Sequence, residues 1–177
     1  MYTAAQSAPG GPTSSADDTM AALTRAVTAG RAGDPDSARD ALRRIWDSLG
    51  PQGDPLHRCT LAHYLADLHD DAAQALMWDT RALDAADSLT DDRAQRHHAG
   101  LHVRGFYPSL HLNIADNLRR LGSFDAAQHH LAAAREYFDA LGNDAYGATI
   151  RTAVDEVEAA IAANSTERRA SAPDGRR

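Results

Sequence analysis

The sequence predicts an all-α fold of antiparallel helix pairs closed by a C-terminal capping helix. Three observations carry this. Helix formers, alanine above all, dominate residues 18–164, and β-branched residues occur singly rather than in alternation. Cap residues, prolines and glycines punctuate that stretch at helical intervals. Apolar residues recur at helical spacing, most plainly as Tyr146, Ile150, Val154, Val157 and Ile161 near the end. A chain of 177 residues suits one domain.

The elements follow in order. Residues 1–17, rich in Ala, Gly, Pro and Ser without a period, read as a disordered lead-in. A helix over 18–31 stops at Gly33. The next, 35–48, has Asp34 as cap, Pro35 in its first turn and Gly50-Pro51 as its stop. Asp54-Pro55 repeats that start for a helix ending near residue 69, and a fourth helix covers 71–87. Residues 91–104 form either an extra helix or an extension of the following helix kinked at Pro108. The helix 108–121 ends at Gly122. The helix 123–141 starts at Ser123, a good cap, and has Gly142 past its end. The last helix spans 144–163, and residues 165–177 read as a solvated, disordered tail.

Composition removes several function classes. One cysteine allows no intramolecular disulfide. The N-terminus lacks the basic and apolar regions of a secretory signal, and no apolar run reaches the roughly 20 residues of a membrane helix, so a cytoplasmic protein without a membrane partner is expected. A net charge of −7 argues against nucleic acid as partner. All 18 basic residues are arginine, which excludes a Schiff-base lysine and leaves planar donors suited to carboxylates.

The clearest internal unit runs from Asn113 to Arg135. It places Ile114, Ala115 and Leu118 on a first helix, Gly122 at the turn, Phe124 after it, and Ala127, Leu131 and Ala134 on a second helix. This unit resembles a tetratricopeptide repeat. Weaker units surround Leu61, Ala62, Leu65 and Ala73, and Ala26, Gly33, Ala38 and Leu42. Ala26 to Ala62 is 36 residues, near the period of about 34, whereas Ala62 to Ala115 is 53, with the excess between residues 88 and 106. The style is similar to short repeat proteins of actinobacteria. The resemblance implies a right-handed superhelix of about three repeats over residues 18–164 whose first helices line a ligand groove.

Within that implied groove stand Cys59, His63, Asp67, Leu112, Asn113, Asp116, Arg119 and Arg120. The register implies His63 beside Asp116, and Asp67 between Arg31 and Arg120. The leading expectation is therefore a non-enzymatic interaction module. Asn113, Arg119 and Arg120 would donate to the backbone or carboxylate of a peptide or protein partner, or of a second copy in a homodimer. The alternative for Arg31, Asp67 and Arg120 is a structural charge ladder. A second expectation is metal binding. Cys59 and His63 are four apart on one helix face, as are His98 and His102; with His57, His111 or Asp116 they would suit zinc or copper. A third is a Cys59–His63 nucleophile and base, although no catalytic motif surrounds them. The polar rings in 56–66 and 104–113 either form a structural network or line a pocket.

Overall fold

In a computed structural model, residues 13–97 and 102–170 are described, with the side chains of 13–17 and 97 set aside. Every regular element among them is helical: α1 (Thr13–Arg31), α2 (Pro35–Leu49), α3 (Pro55–Asp67), α4 (Ala72–Asp87), α5 (Asp91–His97), α6 (Tyr107–Arg120), α7 (Phe124–Glu136) and α8 (Ala145–Ala162). Helix α1 begins at Thr13, inside the stretch expected to be a lead-in. The segment before α6 is a separate short helix, α5, followed by a 3₁₀ turn at Val103–Gly105; Pro108 starts α6 rather than kinking it. The expected helix 123–141 breaks after Glu136 into a 3₁₀ turn, Phe138–Ala140.

Local chemistry sets the boundaries. Asp34, Asp54, Asp71 and Asp144 each accept a hydrogen bond from a backbone N–H of the first turn they precede, which satisfies donors the helix itself leaves open. Ser123 makes no such bond. Gly122 ends α6 at φ 79°, a left-handed conformation that a side chain disfavours.

Successive helices pair as α1/α2, α3/α4 and α6/α7, and α8 packs on α6 and α7. Beyond its partner α7, helix α6 packs most on α4. Small residues permit that approach: Ala72, Ala75, Ala82 and Ala86 of α4 are buried. One apolar cluster joins α1 to α4 with Leu110, and contains Leu42, Leu61, Leu65 and Cys59. A second joins α6, α7 and α8 through Leu112, Leu131, Val154 and Val157. Tyr146, placed by period on the buried stripe of α8, is 52% exposed instead. Trp46 and Trp78 meet edge to face at 5.1 Å between the second helices of the first two pairs, with the guanidiniums of Arg58 and Arg81 over their rings. The inserted segment is pinned through Asp54, which caps α3 and also takes two donors from Arg93. No helix among the described residues is long and apolar enough to cross a membrane.

Candidate functional site

A polar seam divides the two apolar clusters. Its centre is Asp79 of α4, 1% exposed. Asn117 donates to one of its carboxylate oxygens at 2.9 Å and Asn113 to the other at 3.4 Å. Both amides stand on the α6 face that meets α4. His63 of α3 points Nδ1 at the same carboxylate from 3.8 Å, an ion-pair separation rather than a hydrogen bond. Burial alone would lower the His63 pKa, but the carboxylates of Asp79 and Asp67 outweigh it and push it up to about 9. Burial pushes Asp79 up to about 6 against the pull of His63, and raises Asp67 against His63, Arg31 and Arg168.

Beside the seam lies a cavity of about 40 Å³, lined among others by Asp67, Asp79, Asn113, Asp116, Asn117 and Arg120. That volume holds a water or two and is far below the roughly 300 Å³ of a small-molecule pocket. The cavity is small because residues of the C-terminal segment, Arg168 and Arg169, form one of its walls.

The segment after α8 is therefore seated rather than free over residues 165–170. Asn164 takes φ 50°, and the N–H groups of Asn164 and Ser165 donate back to the carbonyls of Ile161 and Ala160. This left-handed stop ends α8 and turns the chain onto α6. There Arg119, fully buried, donates to the backbone carbonyls of Ser165 at 2.5 Å and Glu167 at 2.8 Å, while its Nε and Nη2 hold Asp116 at 3.0 and 2.7 Å. Arg169 reaches Asp116 at 3.2 Å and Glu156 at 2.8 Å, and Arg168 reaches Asp70 at 2.6 Å. Arg120 donates to Asn117 at 3.2 Å and to the carbonyl of Asp70 at 2.5 Å.

The expected groove residues thus separate. Asp67, Asn113, Asp116 and Arg120 line the cavity. His63 meets it through Asp79, not through Asp116, whose partners are arginines. Asp67 is influenced by Arg31 and Arg168 rather than by Arg120. Leu112 is core, 3% exposed. Cys59 is core as well; burial pushes its thiol up to about 12, away from the thiolate that a soft metal or a nucleophile requires. His57 is buried against Asp54 and Arg93, and His98 lies outside the described residues. Among the described residues no group of three His, Cys, Asp or Glu side chains is placed to hold a metal ion.

The two ring-rich stretches form contacts throughout. Tyr107 donates to Asp87 at 2.9 Å and stacks on Tyr137 at 4.7 Å; His111 and His130 share a hydrogen bond between Nδ1 atoms 3.0 Å apart. Burial lowers the pKa of both histidines, and of His69, which lines the cavity. The acidic residues of α8 are likewise partnered: Glu158 and Asp155 by Arg135, Glu156 by Arg169.

Comparison with family models, curated proteins and solved structures gives no match. The functional reading therefore rests on the site itself.

Asp79, the seam's centre, was missed at the level of sequence. Its signal is a carboxylate at spacing four from Ala75 and three from Ala82, within a stripe of small residues that faces a neighbouring helix. Asn164 also carried a signal, since asparagine is one of the few non-glycine residues that visits the left-handed region readily.

The seam sets a pH dependence. A histidine whose folded pKa is raised contributes stability that is complete below about 6.5 and lost as pH rises through about 9. Between pH 7 and 9 the protein is expected to lose about 1–2 kcal/mol, discounted for the partial exposure of the ring. Cys59 and Tyr107 are both pushed up to about 12; the Cys59 loss begins near pH 9, at the top of that window, and the Tyr107 loss above it. His63→Gln should melt earlier at pH 7 and lose less stability than the parent between pH 7 and 9. A variant that loses as much as the parent over that range would assign the effect elsewhere.

Proposed function

We propose that this chain is a non-enzymatic interaction module. In this reading the helix pairs stack as a right-handed, tetratricopeptide-like superhelix. The face built from α3, α4 and α6 takes an extended segment of polypeptide. The supporting observation is that a non-helical segment of the chain already lies on that face, with Arg119 donating to two of its backbone carbonyls. Donors to carbonyls two residues apart read an extended main chain regardless of its side chains, and neighbouring side chains supply selectivity. The order of packing, α1 and α2 onto α3 and then α4 onto α6, fits a stack of pairs. The acidic groove disfavours nucleic acid as the occupant.

The test is an array of synthetic peptides of varied charge, probed with the labelled full-length chain. Recovered peptides are then titrated by fluorescence anisotropy against the chain and against Asn113→Ala and Arg120→Ala. Loss of about tenfold in affinity, or 1.4 kcal/mol, is expected for each variant. If every recovered peptide binds both variants as well as it binds the parent, the groove is not the binding face.

A further inference from the structure

Read from residue types alone, the groove is cationic, with Arg119 and Arg120 as donors to an acidic ligand. The structure reverses the sign of what is held there. Asp67, Asp70, Asp79, Asp116 and Glu156 surround the seated segment, and two of its side chains are arginines.

We infer that this groove recognises an extended segment carrying two consecutive arginines, and that residues 165–170 are its built-in occupant. The inference rests on the reading of the groove as a polypeptide-binding face and names the ligand chemistry. Three features carry it. The two arginines point to different carboxylates, Arg168 to Asp70 and Arg169 to Asp116 and Glu156, as side chains on opposite sides of an extended chain do. Arg169, with its side chain 9% exposed, uses Nε on one carboxylate and Nη1 on the other; a lysine ammonium is a point donor and cannot span both in this way. Arg119 fixes the register by holding the carbonyls of Ser165 and Glu167, immediately before the arginine pair.

A tethered occupant has an effective concentration in the millimolar range, so an arginine segment from another chain binds only by displacing it. The apparent affinity is reduced by the fraction of molecules whose groove is open. The same chemistry could be presented by a different protein or by the tail of a second copy.

The experiment uses the full-length chain and labelled peptides with the sequence of residues 164–173, which stop before the second arginine pair at 176 and 177. Three peptides are compared: the native one, one with serine at both arginine positions 168 and 169, and one with lysine at both. Two proteins are compared: the native chain and the full-length Arg168→Ser/Arg169→Ser variant, which vacates the acidic groove. The native peptide is expected to bind the variant at least about tenfold more tightly than it binds the native chain. The serine peptide should bind the variant about tenfold more weakly than the native peptide, with the lysine peptide between them. Raising salt from about 0.05 to 0.5 M should weaken the native peptide most. Full-length Arg169→Lys, which keeps the charge, provides a milder opening of the groove and should fall between the two proteins. Equal affinity for the native and serine peptides overturns the arginine reading while leaving the polypeptide-binding face standing. No binding of any peptide by either variant overturns both. Full-length chains that sediment as dimers and are dispersed to monomers by excess native peptide identify a second copy's tail as the source; chains that sediment as monomers throughout assign the source to another protein.

Discussion

Arg119→Met should lower stability by about 3–5 kcal/mol, which for a chain of this size is a fall of about 10 °C or more in melting temperature. Methionine keeps much of the side-chain volume, so the loss is electrostatic and not a cavity. The guanidinium is 0% exposed and makes four hydrogen bonds, two to the Asp116 carboxylate and two to carbonyls of the C-terminal segment. Its removal leaves Asp116, 8% exposed, with Arg169 at 3.2 Å as its remaining arginine, and leaves two carbonyls to find water. The segment that those carbonyls anchor should detach, and limited proteolysis at Arg168 and Arg169 should accelerate in the same variant. Arg119→Met with Asp116→Leu should recover much of the loss, because an unpartnered buried charge costs more than an apolar pair. A melting point within about 2 °C of the parent for the single variant would show that this arginine anchors nothing.

Gly147→Ala should destabilise by about 2–3 kcal/mol, measured by urea unfolding. The sign is what makes the variant informative. In an ordinary helix, alanine is better than glycine by about 1 kcal/mol. Here a Cβ on Gly147 would stand 2.1 Å from the carbonyl oxygen of Gly142 and 2.9 Å from Nη1 of Arg151. The first of these atoms is backbone and is itself held by Arg151, which also takes the carbonyls of Leu141 and Phe138. The turn into α8 cannot shift without releasing that arginine and the Asp144 cap on the N–H of Gly147. A stabilised Gly147→Ala would mean that the turn and α8 are farther apart than described.

Much of the fold was legible because its boundaries are written in short-range chemistry. Asp34, Asp54 and Asp144 cap helices, and Gly33, Gly50 and Gly122 adopt the positive φ expected of stops. The site was legible only in part. Asp67, Asn113, Asp116 and Arg120 do line one cavity. Their pairings were not recoverable, because repeat register makes α3 and α6 lateral neighbours, whereas α6 meets the preceding pair mainly through α4. Residues 88–106 supply a helix and a turn that build a separate apolar cluster around Leu56, Leu89, Ala94 and Val103, and no periodic argument places α6 across such an insertion. The partner of His63 consequently comes from α4. The seated segment was invisible for another reason: a short polar stretch has no periodicity, and its attachment depends on carbonyls that carry no side-chain signature.

The carboxylate in the α4–α6 seam has a consequence for how uniquely the chain is arranged. An alanine-lined surface is nearly smooth, and one turn along it, about 5.4 Å, looks much like the next. Apolar contact alone would let α6 slide along α4 with little loss. Asp79 forbids it, because its two oxygens are matched to amides four residues apart on α6, at Asn113 and Asn117. A slip of one turn would take one of those amides away and strand a buried charge, so this single polar contact defines which of several similar packings is the native one.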